Sequence, residues 1–344
     1  MNNSVWWFDL SRADQVDALE VAAARSGRPA HLLEKDIWVV WTLAAIYNAP
    51  SATPLTFKGG TSLSKVYKVI DRFSEDIDLT YDIRELVPDL LRDGKPIPDS
   101  PSQEKKVTRV VRERLPDWIA QTIKPRIENA LAAHGLHAEL QVAGKDHEKL
   151  LVAYPAIRTG TGYAAPTVQL EFGARATGEP HQIHPVTCDM AAVIDGIQFP
   201  SARPLVMAAE RTFWEKATAA HVYCLQWRLR GERYSRHWYD LAALSSTRYY
   251  PLAARDWQLA RQVAEHKSVF FAEKDAFGGK IDYFRAIGGG LRLIPEGASL
   301  VALENDYAAM REDGLLALNP MTFAELMEHC AGIQDTVNRL ALPS

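Results

Sequence analysis

One stretch, "FKGGTSLSKVYKVIDRFSEDIDLTYD" over residues 57–82, constrains the chain more than any other. With the preceding "PLT" it opens as a short β-favouring run that ends on two glycines. "TSLSKVYKVI" then has helical spacing, and "DIDLTYD" alternates as a half-buried strand does. The order is strand, turn, helix, strand. Residues two apart on a strand share a face, so Asp76 and Asp78 converge while Ile77 and Leu79 face the core. Two neighbouring carboxylates repel unless a cation lies between them. Mg²⁺ suits the pair, because it takes one or two carboxylates and completes its octahedron with water and phosphate oxygens. A calcium loop does not fit, since "DRFSEDIDLTYD" lacks a glycine at its sixth position.

Upstream of the pair, Gly59 and Gly60 let the backbone approach a ligand closely, and the helix expected to begin near Thr61 offers N–H groups to an anion. Lys58, Gly59, Gly60, Thr61 and Ser62 are therefore candidate phosphate contacts. A phosphate cradle before a carboxylate pair is the arrangement that phosphoryl or nucleotidyl transfer from a nucleoside triphosphate requires. Glu171 in "TVQLEF" is a candidate third metal ligand, placed on an alternating strand expected to lie beside that of Asp76.

The 344 residues suffice for two lobes, and a net charge of −4 excludes a uniformly basic coat for nucleic acid but not a local basic patch. Cys188, Cys224 and Cys330 fall in no zinc or disulfide spacing, and no apolar run is long enough to span a membrane. The N-terminal "MNNSVWWFDLSRADQ" lacks a basic region followed by an apolar one, so the expectation is a cytoplasmic protein with no membrane association. Helices are expected over 12–25 and 29–47. A proline-rich surface excursion follows over 88–104, then a helix over 105–134 broken near Pro116 and kinked around Pro125. "LHAELQVA", "KLLVAYPAI", "PTVQLEFGAR" and "HQIHPVTC" read as strands. After "FPSARP" the pattern turns helical. Residues 1–203 are thus read as an α+β domain with N-terminal helices, and 204–344 as a mostly helical domain.

Glycine with a following hydroxyl residue, a spacer and Asp-x-Asp resembles the first motif of the nucleotidyltransferase superfamily, with Gly60 and either Thr61 or Ser62 in the first positions. "LLEKDIWVVWTL", "FKGGTSLSKVY", "RFSEDIDL", "ERTFWEKATAAH" and "SRHWYDLAAL", in that order, resemble the AbiEii/AbiGii toxins of type IV toxin–antitoxin and abortive-infection (phage-defence) systems. The resemblance implies a polymerase-β-like nucleotidyltransferase mixed sheet with flanking helices and a helical C-terminal region. It assigns the metal to Asp76 and Asp78, and makes Ser74, Lys216 and Asp240 counterparts of family site residues. It also implies Mg²⁺, a nucleoside triphosphate substrate, a tRNA 3′ end as acceptor, a block of translation and a cognate antitoxin protein.

Separately from the family, Lys216 falls outside the apolar stripe of its helix, where a lysine suits a triphosphate. Asp240 in "RHWYDL" has three readings: it orients Lys216, acts as a base, or pairs with Arg236. Arg236 and His237 are candidate phosphate or nucleotide contacts. "QWRLRGERYSRHWYD" interleaves Arg228, Arg230, Arg233 and Arg236 with Trp227, Tyr234 and Trp238, which suits a single-stranded RNA end. Lys105, Lys106, Arg109, Arg112 and Arg114 form a second basic run that reads equally as a solvated helix face. His181 with His184, and His134 with His137, lack further metal ligands, and Gly288–Gly290 reads as a turn. Two alternatives stay open: nucleotidylation of a protein or small molecule, and a non-catalytic nucleotide-binding interaction module.

Overall fold

In the computed structural model, described for residues 4–48, 54–74, 76–160, 165–227, 233–312, 315–316 and 320–341, two long helices lie near the start of the chain. Helix α1 (Arg12–Ser26) is capped by Ser11 and closed by Gly27 in the left-handed region; α2 (Ala30–Tyr47) follows Pro29. Next come strand β1 (Leu55–Lys58), helix α3 (Gly59–Lys65) and strand β2 (Asp76–Asp82). The helix starts at Gly59, two residues before the expected position, because Gly59 itself makes the turn at a φ of 80°.

Helix α4 (Pro101–Trp118) starts before Lys105 and runs through Pro116 without breaking. The irregularity falls later, as a π turn over Ile119–Ile123 ahead of α5 (Lys124–Ala133). A wider turn there accommodates the Pro125 ring, which in a regular helix clashes with the carbonyl four residues back. Strands β3 (Glu139–Ala143), β4 (Lys149–Ala153) and β5 (Thr167–Ala176) follow. "HQIHPVTC" divides at Pro185 into β6 (His181–Ile183) and a separate short strand, Val186–Thr187, since proline cannot donate to a ladder. With β7 (Leu205–Met207) the sheet order is β3-β4-β5-β2-β1-β7-β6. It is mixed: β2 runs parallel to β5 and β7 to β1, while the β1–β2, β3–β4 and β4–β5 pairs are antiparallel.

The remaining helices are α6 (Ala209–Gln226), α7 (Arg236–Ser245), α8 (Tyr249–Arg255), α9 (Trp257–Phe270), α10 (Ala298–Glu312) and α11 (Phe323–Leu340). The chain forms two compact units. The first comprises Met1–Val66, Ser74–Pro96 and Val107–Val206; the second comprises Tyr67–Phe73, Ile97–Lys106 and Met207–Ser344. Among the described residues no helix is long and apolar enough to cross a membrane.

In the first unit the buried side of the sheet is carried by Ile77, Leu79, Val168, Leu170 and Phe172, and α2 packs across β5. Helix α2 is apolar almost all round, yet its buried face also carries Glu34, Lys35 and Asp36. Each is satisfied. Glu34 accepts from the N–H groups of Ile157 (2.7 Å) and Arg158 (2.8 Å), and Lys35 donates to the carbonyl of Ala165 (2.9 Å). Asp36 accepts from the N–H of Asp189 and pairs with Lys65, whose ammonium also meets Asp189 at 2.7 Å. Lys65 ends α3, so this buried ion cluster fastens the glycine-turn helix to α2. Replacement Lys65→Met leaves the Asp36 carboxylate buried without its cation. It should cost about 3–5 kcal/mol of stability, measured as a lower urea midpoint.

Candidate active site

Strand β2 places Asp76 and Asp78 on the face opposite the buried Ile77 and Leu79. Parallel pairing with β5 sets Gln169 beside Asp76 and Glu171 beside Asp78, while antiparallel pairing with β1 sets Lys58 on the other flank of Asp78. The Gln169 amide reaches Asp76 Oδ1 at 3.3 Å. Glu171 is ion-paired with Lys149 at 3.1 Å. Glu171 therefore lies one strand away from the pair at matching register, already facing a cation of its own.

Gly59 packs directly against this carboxylate pair. A Cβ built on it would lie 2.9 Å from Asp78 Cγ and nearer still to Oδ2, which no real side chain tolerates. The absence of a side chain and the positive φ are both required for Asp78 to sit where it does. Gly60 is buried, and so are the two hydroxyl residues after it. Thr61 Oγ1 donates to the carbonyl of Asp76 at 2.5 Å and lies 2.9 Å from Ser74 Oγ; Ser62 Oγ donates to the carbonyl of Gly59 at 2.9 Å. These hydroxyls bind the glycine turn to the start of β2. Ser74 joins the same staple from the segment leading into the strand.

Among the described residues no three His, Cys, Asp or Glu side chains gather as a metal cage. The pair fits Mg²⁺ all the same, because that ion keeps waters and substrate phosphates as ligands and needs only one or two carboxylates. Packing against Gly59 fixes one carboxylate of the pair, and two anionic groups on one strand face are relieved of repulsion by a divalent cation.

In the second unit Asp240 is fully buried. Arg72 holds it with two parallel bonds of 2.6 and 2.8 Å, and Lys216 Nζ meets Oδ2 at 2.8 Å. Burial opposes ionisation, but Arg72 and then Lys216 overcome it and hold the carboxyl well below the usual carboxylate range. The partner is thus Arg72, and not Arg236, which stands exposed at the start of α7. Lys216, expected clear of the apolar stripe, is itself buried. Burial, with Arg72 and Arg236 nearby, pushes its ammonium down from the ordinary lysine value against the pull of Asp240. One carboxylate is shared by two cations, so the cluster carries excess positive charge suited to an anion.

His237 is half-buried, with Nδ1 lacking a hydrogen-bond partner; burial and the cations Lys216 and Arg236 keep its ring neutral. Arg233 is partly exposed in a turn that Asp306 caps by accepting from the N–H groups of Arg233 and Ser235. Arg228 and Arg230 lie outside the described residues. Trp238 is fully buried and donates its indole N–H to the carbonyl of Leu293, so it offers no face to a base. In the other basic run Arg114 pairs with Asp89, Arg112 with Asp146 and Arg109 with Glu113, as on a solvated helix face.

The family model of the nucleotidyl transferase AbiEii toxins, from type IV toxin–antitoxin systems, matches residues 41–329; the chain belongs to this family and is a nucleotidyl-transfer enzyme of the toxin class. MenT4, a nucleotidyltransferase toxin from Mycobacterium tuberculosis, is a similar solved structure: 17% identity, a TM-score of 0.43, 97% of this chain and 100% of that chain covered. No curated protein matches the chain.

Replacement Gly59→Ala should displace the Asp78 carboxylate and lower turnover about 100-fold, while costing only about 1–2 kcal/mol in unfolding free energy. Stability in the second unit should also depend on His221, whose Nδ1 accepts from the N–H of Arg292. Burial first, then Arg292 and Arg285, pushes this imidazole from 6.5 down to about 4. The folded state thus binds a proton less readily than the unfolded one, so the contribution is whole above pH 6.5 and is lost between there and about 4. Unfolding free energy should fall by about 1 kcal/mol from this group between roughly pH 7.5 and 5.5. In His221→Gln the pH slope should flatten by that amount.

Proposed function

We propose that the chain is a Mg²⁺-dependent toxin that transfers a nucleoside monophosphate from a nucleoside triphosphate to the 3′-terminal hydroxyl of an RNA, with tRNA as the acceptor. The acceptor oxygen forms a bond to the α-phosphorus as its proton passes to water, the bond from that phosphorus to the bridging oxygen breaks, and pyrophosphate leaves. A tRNA so extended no longer accepts an amino acid, which blocks translation in the cytoplasm and suits a phage-defence role. A cognate antitoxin keeps such an enzyme in check.

The observation that carries this reading is the carboxylate pair fixed against a side-chain-free turn in a chain of this family. Asp76 and Asp78 would hold the ion, which supplies Lewis-acid polarisation of the α-phosphoryl group. Gly59 and Gly60 keep the turn open to phosphate oxygens, with Lys58 as a flanking cation. Thr61, Ser62 and Ser74 position that turn. Glu171, with its register beside Asp78, is a further group able to reach the ion if Lys149 releases it. In the second unit we assign Lys216, oriented by Asp240, which Arg72 also holds, to a substrate phosphate. Arg236 is its exposed neighbour.

Purified protein incubated with total RNA, Mg²⁺ and each labelled triphosphate in turn tests this. Label should appear on RNA of tRNA size, and Asp76→Asn should reduce incorporation about 1,000-fold, the loss of several kcal/mol of charge stabilisation, with the melting temperature unchanged. Label on polypeptide in place of RNA would contradict the acceptor, and full incorporation by Asp76→Asn would contradict the role of the pair.

A further inference from the structure

Two large aromatic side chains of the second unit stand in solvent and touch each other. Trp227 is 54% exposed and Phe277 80% exposed, and their rings meet edge to face at 4.9 Å. Single exposed apolar residues are ordinary on a protein surface, but a packed pair raised on a built support is not. The support is a small hairpin over residues 273–281. Lys274 bridges to Lys280, the N–H of Ile281 donates to the carbonyl of Glu273, and Asp275 Oδ1 accepts from the N–H groups of Phe277 and Gly279. The Gln226 amide donates to Glu273 and to the carbonyl of Lys274, and the N–H of Ala276 donates to the carbonyl of Leu225, which fixes the hairpin to the end of α6. The backbone that carries Phe277 is thereby braced before any ligand arrives.

The hairpin directs its charges unequally. Glu273 and Asp275 spend their carboxylates on hydrogen bonds within this support, whereas Lys274 and Lys280 are exposed.

The pair stands at the C-terminal end of α6, the helix that carries Lys216. Trp227 follows Lys216 by eleven positions, which is about three turns and about 16 Å along α6, so their Cα positions line up on one side of the helix. Tyr223 falls on that side between them, with Tyr234 at 4.5 Å and His237 at 5.9 Å from its ring. Tyr234 lies just before α7 and His237 in its first turn, on the helix that carries Asp240.

We infer that Trp227 and Phe277 form a stacking platform for unpaired bases of the RNA acceptor. This rests on the reading in which the acceptor is an RNA. Every base has a π-face, so aromatic rings bordered by cations hold single strands with little regard to sequence. The platform thus acts on acceptor affinity and leaves the triphosphate alone.

The test uses the full chain and its Trp227→Ala, Phe277→Ala and Phe277→Tyr variants. A short single-stranded oligoadenylate, and the same strand annealed to its complement, serve as probes of direct binding. Transfer to total RNA is followed with a labelled triphosphate. Each alanine variant should bind the single strand about 5- to 150-fold more weakly, the range for one lost base stack. KM for RNA should rise by a similar factor while KM for the triphosphate and kcat hold. Phe277→Tyr should restore binding, and the duplex should show no difference between variants. Since both rings are largely exposed, melting temperatures should not move. Wild-type transfer to RNA with unchanged RNA affinity in both alanine variants overturns the platform alone, including the case in which they lose an antitoxin protein instead. Failure of the wild-type chain to bind or modify RNA overturns the acceptor reading, and the platform with it.

Discussion

The approach of the Asp78 carboxylate to Gly59 is the contact on which the first unit's chemistry depends. A strand that buries Ile77 and Leu79 must turn Asp76 and Asp78 to the other face, and the antiparallel partner strand then ends on Lys58 directly beside them. The chain has to leave that strand through the space next to Asp78. Only a residue without a Cβ passes there, and only at a φ that other residues resist. Thr61 then ties the new helix back to the carbonyl of Asp76, and Lys65 anchors its far end in the Asp36–Asp189 cluster. Two repelling groups are thus held still by packing and hydrogen bonds made elsewhere, which preorganises them for a cation.

The second unit solves the opposite problem. Lys216 and Arg72 are buried cations, and one fully buried carboxylate between them prevents the cost of leaving either unpaired. Arg72 takes both oxygens and Lys216 one, and the proposed reading gives Lys216 to an incoming anion. In the proposed reading Asp240 orients Lys216, because Arg72 and Lys216 between them engage both of its oxygens.

Much of this was legible in local patterns. Alternation alone places Asp76 and Asp78 on one face, and a glycine pair before a helix locates the turn, because both follow from chain geometry within a few residues. Alternation also marks "TVQLEF" as a strand carrying Glu171, but its pairing beside β2 and the meeting of Glu171 with Lys149 from β4 are contacts of the fold that no nearby residue discloses. Arg72 could not be found as the partner of Asp240, because the two are joined only through the fold and Arg236 was the nearer candidate in sequence. Burial defeated two further expectations. Helical periodicity marks Lys216 as lying off the apolar stripe and Trp238 as one more aromatic among arginines, yet both are enclosed by neighbouring elements that periodicity does not see. "KDAFGGK" has the composition of any polar turn, and its bracing by Gln226 is a contact that only the fold makes.

The central claim is that the neighbouring aspartates of β2 together grip a divalent ion with a bound triphosphate. Electron paramagnetic resonance of Mn²⁺, titrated with the protein and a non-hydrolysable triphosphate analogue, measures this without relying on turnover. The wild-type chain should immobilise one ion per molecule only when the analogue is present, and the doubly substituted chain with asparagine at both positions should leave the ion free. Equal immobilisation by the two proteins would contradict the account.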